Sequence, residues 1–208
     1  MSPPSPSPRC QMTPDEALNL LKQGNRQYLD GTSIQPHQIG HEQRLALAQA
    51  QQPFCVLVGC SDSRVPPELL FGRGLGELFI VRNAGNVVDL AAMGSIEYAV
   101  AMLGTPLIVV LGHERCGAVK AAVDVVENDT IYPGSIGQMI EPIIPAVLRA
   151  RRHGDADLVD RSMRENVKRI VQRLRTTEQM LFEPQRDGKL MIVGARYDLD
   201  DGTVEFFD

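Results

Sequence analysis

Short apolar bursts alternating with helical segments place this chain in the α/β class: a central, mostly parallel β-sheet of about four strands plus an antiparallel edge strand, flanked by helices and preceded by an N-terminal helical arm. Three observations predict this architecture. Phe54–Val58, Leu78–Val81, Leu107–Leu111 and Leu190–Val193 are uninterrupted apolar runs of strand length, and such runs suit strands covered on both faces. The segments between them carry helical periodicity, the alternation that builds a parallel sheet through crossover connections. Asp201-Gly202, between Val193–Leu199 and Thr203–Phe207, is a hairpin signal that adds the antiparallel edge.

Taken in chain order, Met1–Pro8 alternates Ser with Pro, so residues 1–12 are expected to form a disordered tail ahead of a single domain at 13–208. Thr13-Pro14-Asp15-Glu16 combines a capping box with a proline in the first turn, and Leu18, Leu21 and Leu29 continue one helical face. A second helix is expected over Glu42–Gln51, stopping before Pro53. Further helices are expected over Ala91–Leu103, closed by Gly104, over Ala118–Val126, over Ile136–Arg151, and over the long amphipathic stretch Asp157–Leu181.

The balance of 26 acidic against 21 basic residues gives a net charge of −5, with no Lys/Arg block able to track a phosphate backbone, so nucleic acid is not an expected partner. No apolar run approaches the roughly 20 residues that span a bilayer, and the start lacks a signal-peptide pattern. No membrane association is expected, and the chain reads as cytoplasmic, although an exported precursor with its signal removed would look the same.

Four cysteines, at 10, 55, 60 and 116, are too few and too scattered for a disulfide framework. Cys55 lies inside an apolar run and reads as core, and no role is expected for Cys10. Cys60 and Cys116 differ, because both follow strand ends amid charged neighbours. Cys60-Ser61-Asp62-Ser63-Arg64 follows the first strand, and His113-Glu114-Arg115-Cys116-Gly117 follows the third. In open parallel sheets, ligands sit at the carboxyl ends of strands. Two thiolates and an imidazole form a soft donor set suited to Zn²⁺, and three protein ligands leave a fourth position for chemistry. Asp62 can either take that fourth position or pair with Arg64 and accept a hydrogen bond there. His37, His41 and His153 read as solvated surface histidines. Arg73 and Arg82 read as structural ion-pair partners, and Gly85 and Gly117 as close-packing positions.

Read in order, Cys60-x-Asp62-x-Arg64, Arg82-Asn83-Ala84-Gly85-Asn86, Ser95-Ile96-Glu97-Tyr98-Ala99-Val100 and Gly112-His113-x-x-Cys116-Gly117 resemble the β-class carbonic anhydrase family, from Thr13 to Phe207. The resemblance implies one Zn²⁺ per chain on Cys60, His113 and Cys116, and a gating dyad of Asp62 and Arg64. It implies an active site lined by Gln51, Phe79 and Tyr98, at the interface of an obligate dimer that often pairs into a tetramer. The implied reaction is reversible hydration of carbon dioxide to bicarbonate and a proton by zinc-bound hydroxide; because two thiolates donate more charge than neutral imidazoles would, a less acidic bound water and activity rising toward alkaline pH are expected. Two alternatives stand beside it: hydrolysis of carbonyl sulfide or carbon disulfide on the same scaffold, and a non-catalytic zinc-bearing regulatory protein. One branch of the family builds a non-catalytic bicarbonate site on a Trp where this chain has Leu57.

Overall fold

The computed structural model describes residues 10–32, 40–153, 157–176 and 179–207. Most of the expected tail and His37 lie outside them. Cys10 and Met12, within that tail, pack against the core, and the Cys10 amide donates to the Leu103 carbonyl at 3.2 Å.

The arm helix α1 (Pro14–Leu29) starts where the capping box places it, with Thr13 Oγ1 accepting from Glu16 N–H and the Glu16 carboxylate accepting from Thr13 N–H at 2.8 Å. Helix α2 (His41–Leu47) is shorter than expected and leaves Gln51 outside any helix or strand. It has no fully buried residue, so packing adds little to hold a short helix through the Ala48–Gln51 stretch. Strand β1 (Cys55–Cys60) leads through the single-turn α3 (Pro67–Leu70) to β2 (Leu78–Asn83), and α4 (Leu90–Leu103) follows, ended by Gly104 in the left-handed conformation. Strand β3 (Leu107–His113) and α5 (Gly117–Asn128) come next.

The single helix expected over Ile136–Arg151 is instead α6 (Ser135–Ile140) and α7 (Ile144–Ala150), joined by a 3-10 turn at Glu141–Ile143 and followed by another at Arg151–His153. Pro142 and Pro145 explain the break, since each removes an amide donor and crowds the preceding turn. The expected Asp157–Leu181 helix is α8 (Leu158–Thr176), with α9 (Gln179–Arg186) after it. Strand β4 (Met191–Tyr197) and the edge strand β5 (Val204–Phe207) complete the chain.

The five strands lie in the order β2-β1-β3-β4-β5, parallel except for the antiparallel β4–β5 pair. Side chains alternate across the sheet, as a period of two requires. Val56, Val58 and Cys60 face a core shared with α4, α5, α7 and α8, while Cys55 and Leu57 face a second core with α1 and α3. At Gly24 a Cβ would sit 1.8 Å from the Phe71 carbonyl oxygen, so α1 reaches this second core only because that position is bare. The chain leaves β1 toward β2 and returns to β3 on the other flank of β1. The order therefore reverses between β1 and β3, and a crevice at their carboxyl ends is the natural ligand position.

Candidate metal centre

Cys60 is the last residue of β1 and His113 the last of β3, so both ligands are strand residues rather than followers of strands. The pleat aims Cys60 at the larger core, and the adjoining strand end brings His113 beside it. Cys116 arrives through a tight turn in which Arg115 is left-handed (φ 50°), and it caps the N-terminus of α5, where exposed amides favour a thiolate. All three residues are buried, and their donor atoms lie within 4.8 Å of one another.

The donor set fits a tetrahedral metal. The two sulfurs are 3.9 Å apart. Two sulfurs each about 2.3 Å from a tetrahedral centre would be about 3.8 Å apart. His113 Nδ1 lies 2.8 Å from the Glu114 carbonyl, so it carries the proton and donates there. Nε2 is then left as a buried lone pair with no hydrogen-bond partner. A buried orphan acceptor beside two sulfurs costs stability unless a cation meets it.

Hydrogen bonding from Cys116 and from the Gly85 amide at 3.3 Å favours the Cys60 thiolate against the effect of burial. Cys116 is pushed up by that neighbour and by its own burial. The protein's own groups thus support one buried negative charge, and a dication would let both thiols ionise.

Asp62 is paired with Arg64: Nε and Nη2 of Arg64 donate to Oδ1 and Oδ2 at 2.9 and 2.7 Å, and the Arg64 amide adds a third bond at 2.9 Å. These bonds, led by the side-chain ones, hold the carboxyl well below the usual carboxylate range. Asp62 Oδ2 still lies 3.9 Å from His113 Nε2, so the carboxylate borders the donor cluster while Arg64 holds it. Arg64 also reaches the Arg115 carbonyl at 3.4 Å, a link between the two loops.

The fold does not bring Gln51, Phe79 and Tyr98 to the metal ligands of their own chain. Gln51 is exposed and precedes β1, at the end of the strand opposite Cys60. Phe79 pairs in register with Val56, four residues before Cys60 and so about 13 Å along the strand. Tyr98, half-exposed on α4, packs on Phe79 with ring centroids 6.3 Å apart. His41 is exposed against Arg44, 3.3 Å away.

Several contributors are not readable from residue type. Among the described residues Arg82 makes no ion pair: it donates to the carbonyls of Cys60 and Asp62, both at 2.8 Å, and so fixes the Cys60–Asp62 loop. Arg73 does pair with Glu77, at 3.4 Å. Gly85 has φ 75°, and a Cβ there would lie 2.7 Å from Ile143 Cδ1. Its bareness sets the amide toward Cys60 Sγ as well as allowing close packing. The signal for both was the Arg82–Asn86 motif, whose meaning depends on the Cys60–Asn83 register. A second acidic group, Glu114, Asp198 and Asp200, is already paired with Arg115 and Arg196, with contacts of 2.6–3.4 Å.

Comparison with known proteins agrees with this geometry. The sequence model of the family described as "Carbonic anhydrase" matches residues 55–204. The chain is 43% identical to carbonic anhydrase 2 of Mycobacterium tuberculosis over 195 residues, covering 94% of this chain and 93% of that protein. It is 42% identical to a carbonic anhydrase of Mycolicibacterium smegmatis over 192 residues, 92% of each. A solved structure of tetrameric β-carbonic anhydrases from Sordaria macrospora superposes with a TM-score of 0.72 at 26% identity, covering 78% of this chain and 84% of that one. Motif order, sheet topology and the buried Cys-His-Cys cluster converge with these matches, and the chain belongs to the β-class carbonic anhydrase family.

Proposed function

We propose that this chain catalyses the reversible hydration of carbon dioxide to bicarbonate and a proton, with one zinc ion per chain held by Cys60, His113 and Cys116. The observation that carries this reading is the buried donor cluster with its orphaned His113 Nε2. When bound, zinc would lower the pKa of a coordinated water far below that of bulk water, supplying the nucleophile that hydration requires. The chain's residues do the rest. The Glu114 carbonyl fixes the His113 tautomer, the Gly85 amide and the α5 N-terminus stabilise the thiolates, and Asp62 offers an acceptor that orients the nucleophile. Arg64 keeps that carboxylate off the metal.

The bidentate pairing of Asp62 with Arg64 supports this reading over a non-catalytic zinc protein in which Asp62 would close the site. Gln51, Phe79 and Tyr98, remote from their own cluster, are proposed to line the cluster of a partner subunit in a dimer or larger homo-oligomer. The half-buried β2 edge and the exposed Leu90, Tyr98 and Met102 of α4 supply apolar surface for that contact.

Metal analysis of the purified chain should give about one zinc per chain, and Cys60→Ser, His113→Ala and Cys116→Ser should each lose metal and activity together. Full zinc occupancy in Cys116→Ser would remove that residue from the ligand set. Assay of one zinc-replete preparation with CO₂, COS and CS₂ should show CO₂ turned over fastest; a faster rate on either sulfur compound would reassign the substrate.

A further inference from the structure

Behind the metal centre, a cavity of about 240 Å³ lies between residues 87–88, the α6–α7 region and α8. Val87, Val88, Pro142 and Pro145 give it an apolar wall, and three polar side chains of α8, Asn166, Arg169 and Arg173, reach it. Their spacing of three and four residues puts them on one helix face. Asn166 is 3% exposed and donates through Nδ2 to the Gly85 carbonyl at 3.1 Å. Arg173 Nη1 donates to the Val88 carbonyl at 2.7 Å. Arg169, partly buried between them, has no hydrogen-bond or ion-pair partner among the described residues.

A guanidinium has five donors in a planar fork that matches a carboxylate, and partial burial strengthens that pairing. At ~30 Å³ per water molecule the cavity holds about eight, the size class of a small aromatic or branched aliphatic acid. We propose that it is a second ligand site, for a small organic monocarboxylate whose charged end pairs with Arg169 and whose apolar body lies on Val87, Val88, Pro142 and Pro145. The same geometry links its occupancy to Cys60. Asn166 is bonded to the carbonyl of Gly85, and the amide of Gly85 donates to Cys60 Sγ. Gly85 is wedged against Ile143 and Ala118, so a ligand that shifts Asn166 shifts the thiolate's donor with it. The binding step is independent of the reaction proposed above, whereas its transmission rests on Cys60 being a metal ligand.

The test is titration of the zinc-loaded chain with benzoate, followed by calorimetry and by amide NMR, on wild type and Arg169→Gln. Wild type should bind, with shifts at the Asn166 side-chain amide and the Gly85 amide. Arg169→Gln should weaken binding by about tenfold or more and abolish those shifts, with its zinc content unchanged. Benzoate can also meet the metal directly, so equal affinity in the two proteins, or shifts confined to residues 60–64 and 113–116, would overturn the site. No binding by about 10 mM would do the same. Repeating the titration on metal-free chain separates the two readings: the Asn166 shift should persist there even if the zinc assignment fails. A shifted Asn166 with an unmoved Gly85 in the zinc-loaded chain would overturn the transmission.

Discussion

Arg64 has no hydrogen bond to Cys60, His113 or Cys116; among the described residues its side chain reaches the site through two bonds to Asp62 and one to the Arg115 carbonyl. Removing it should therefore leave metal in place and free a carboxylate already 3.9 Å from His113 Nε2. In Arg64→Ala we expect unchanged zinc content and a fall in CO₂ hydration of about 100-fold or more, the scale of losing one positioned electrostatic group. Zinc absorption spectroscopy should show oxygen coordination by Asp62. In Asp62→Ala, zinc should also remain, but with no carboxylate to coordinate it, and activity should fall through poor orientation instead. Near-normal hydration by Arg64→Ala would reduce the pair to an ordinary salt bridge. The Cys60-His113-Cys116 cluster and the Asp62–Arg64 pair were legible in the sequence because each stretch is local: Asp62 and Arg64 lie within four residues of Cys60, and Cys116 within three of His113. Gly85, Asn166 and Arg82 were not legible in these roles, because each reaches the site through strand register or helix packing that no short motif encodes.

At the scale of elements, the strands were read nearly to their ends because a strand buried on both faces is a continuous apolar run. The misreadings share one cause. Gly59 and Cys60, Arg82 and Asn83, and Gly112 and His113 extend strands past the apolar residues, since sheet hydrogen bonding continues where hydrophobicity stops. Helical periodicity also persists through Pro142 and Pro145, although the backbone bonds do not. The β4–β5 hairpin shows such polar local chemistry at work. Asp198 accepts from the amides of Asp200 and Asp201 at 2.9 and 3.4 Å and from Arg196 Nη1 at 2.9 Å. Arg196 in turn ties this turn to Asp160 of α8 at 2.7 Å and to Glu114 at 3.2 Å. The bond from the Asp200 amide, then that from Arg196, lowers the Asp198 pKa. A lowered folded-state pKa gives stability that is fully present above the unfolded value, about 3.9, and is lost as pH falls through the folded one. Asp198→Ala should thus cost about 1 kcal/mol in urea unfolding at pH 7, and the gap to wild type should narrow below about pH 4. A gap independent of pH over that range would show that the carboxylate's charge plays no part in holding the turn.

For the whole molecule, the decisive fact is a separation. Cys60 and His113 close the carboxyl ends of β1 and β3, while Phe79, paired with Val56, and Tyr98, packed on Phe79, lie well down the sheet on the β2 and α4 side. That side is also one of the two sheet edges that no described strand of the same chain covers, and α4 beside it exposes Leu90, Tyr98 and Met102. Closed two-fold symmetry would let each subunit cover the other's edge and give it an aromatic pair, so two half-complete sites would become two whole ones. Complementation tests this arrangement directly. Cys60→Ser destroys the metal cluster, and Phe79→Ala destroys the lining; each homo-oligomer should be nearly inactive. In a mixed dimer, one site would combine an intact cluster from the Phe79→Ala subunit with an intact Phe79 from the Cys60→Ser subunit, and the other site would carry both lesions. Random pairing after co-expression makes half the dimers mixed, each with one good site, so about a quarter of wild-type activity should return. Zinc content should be about half of one per chain. If Phe79 served its own subunit's cluster, no pairing could rebuild a site, and the mixture would stay no more active than the average of its two parents.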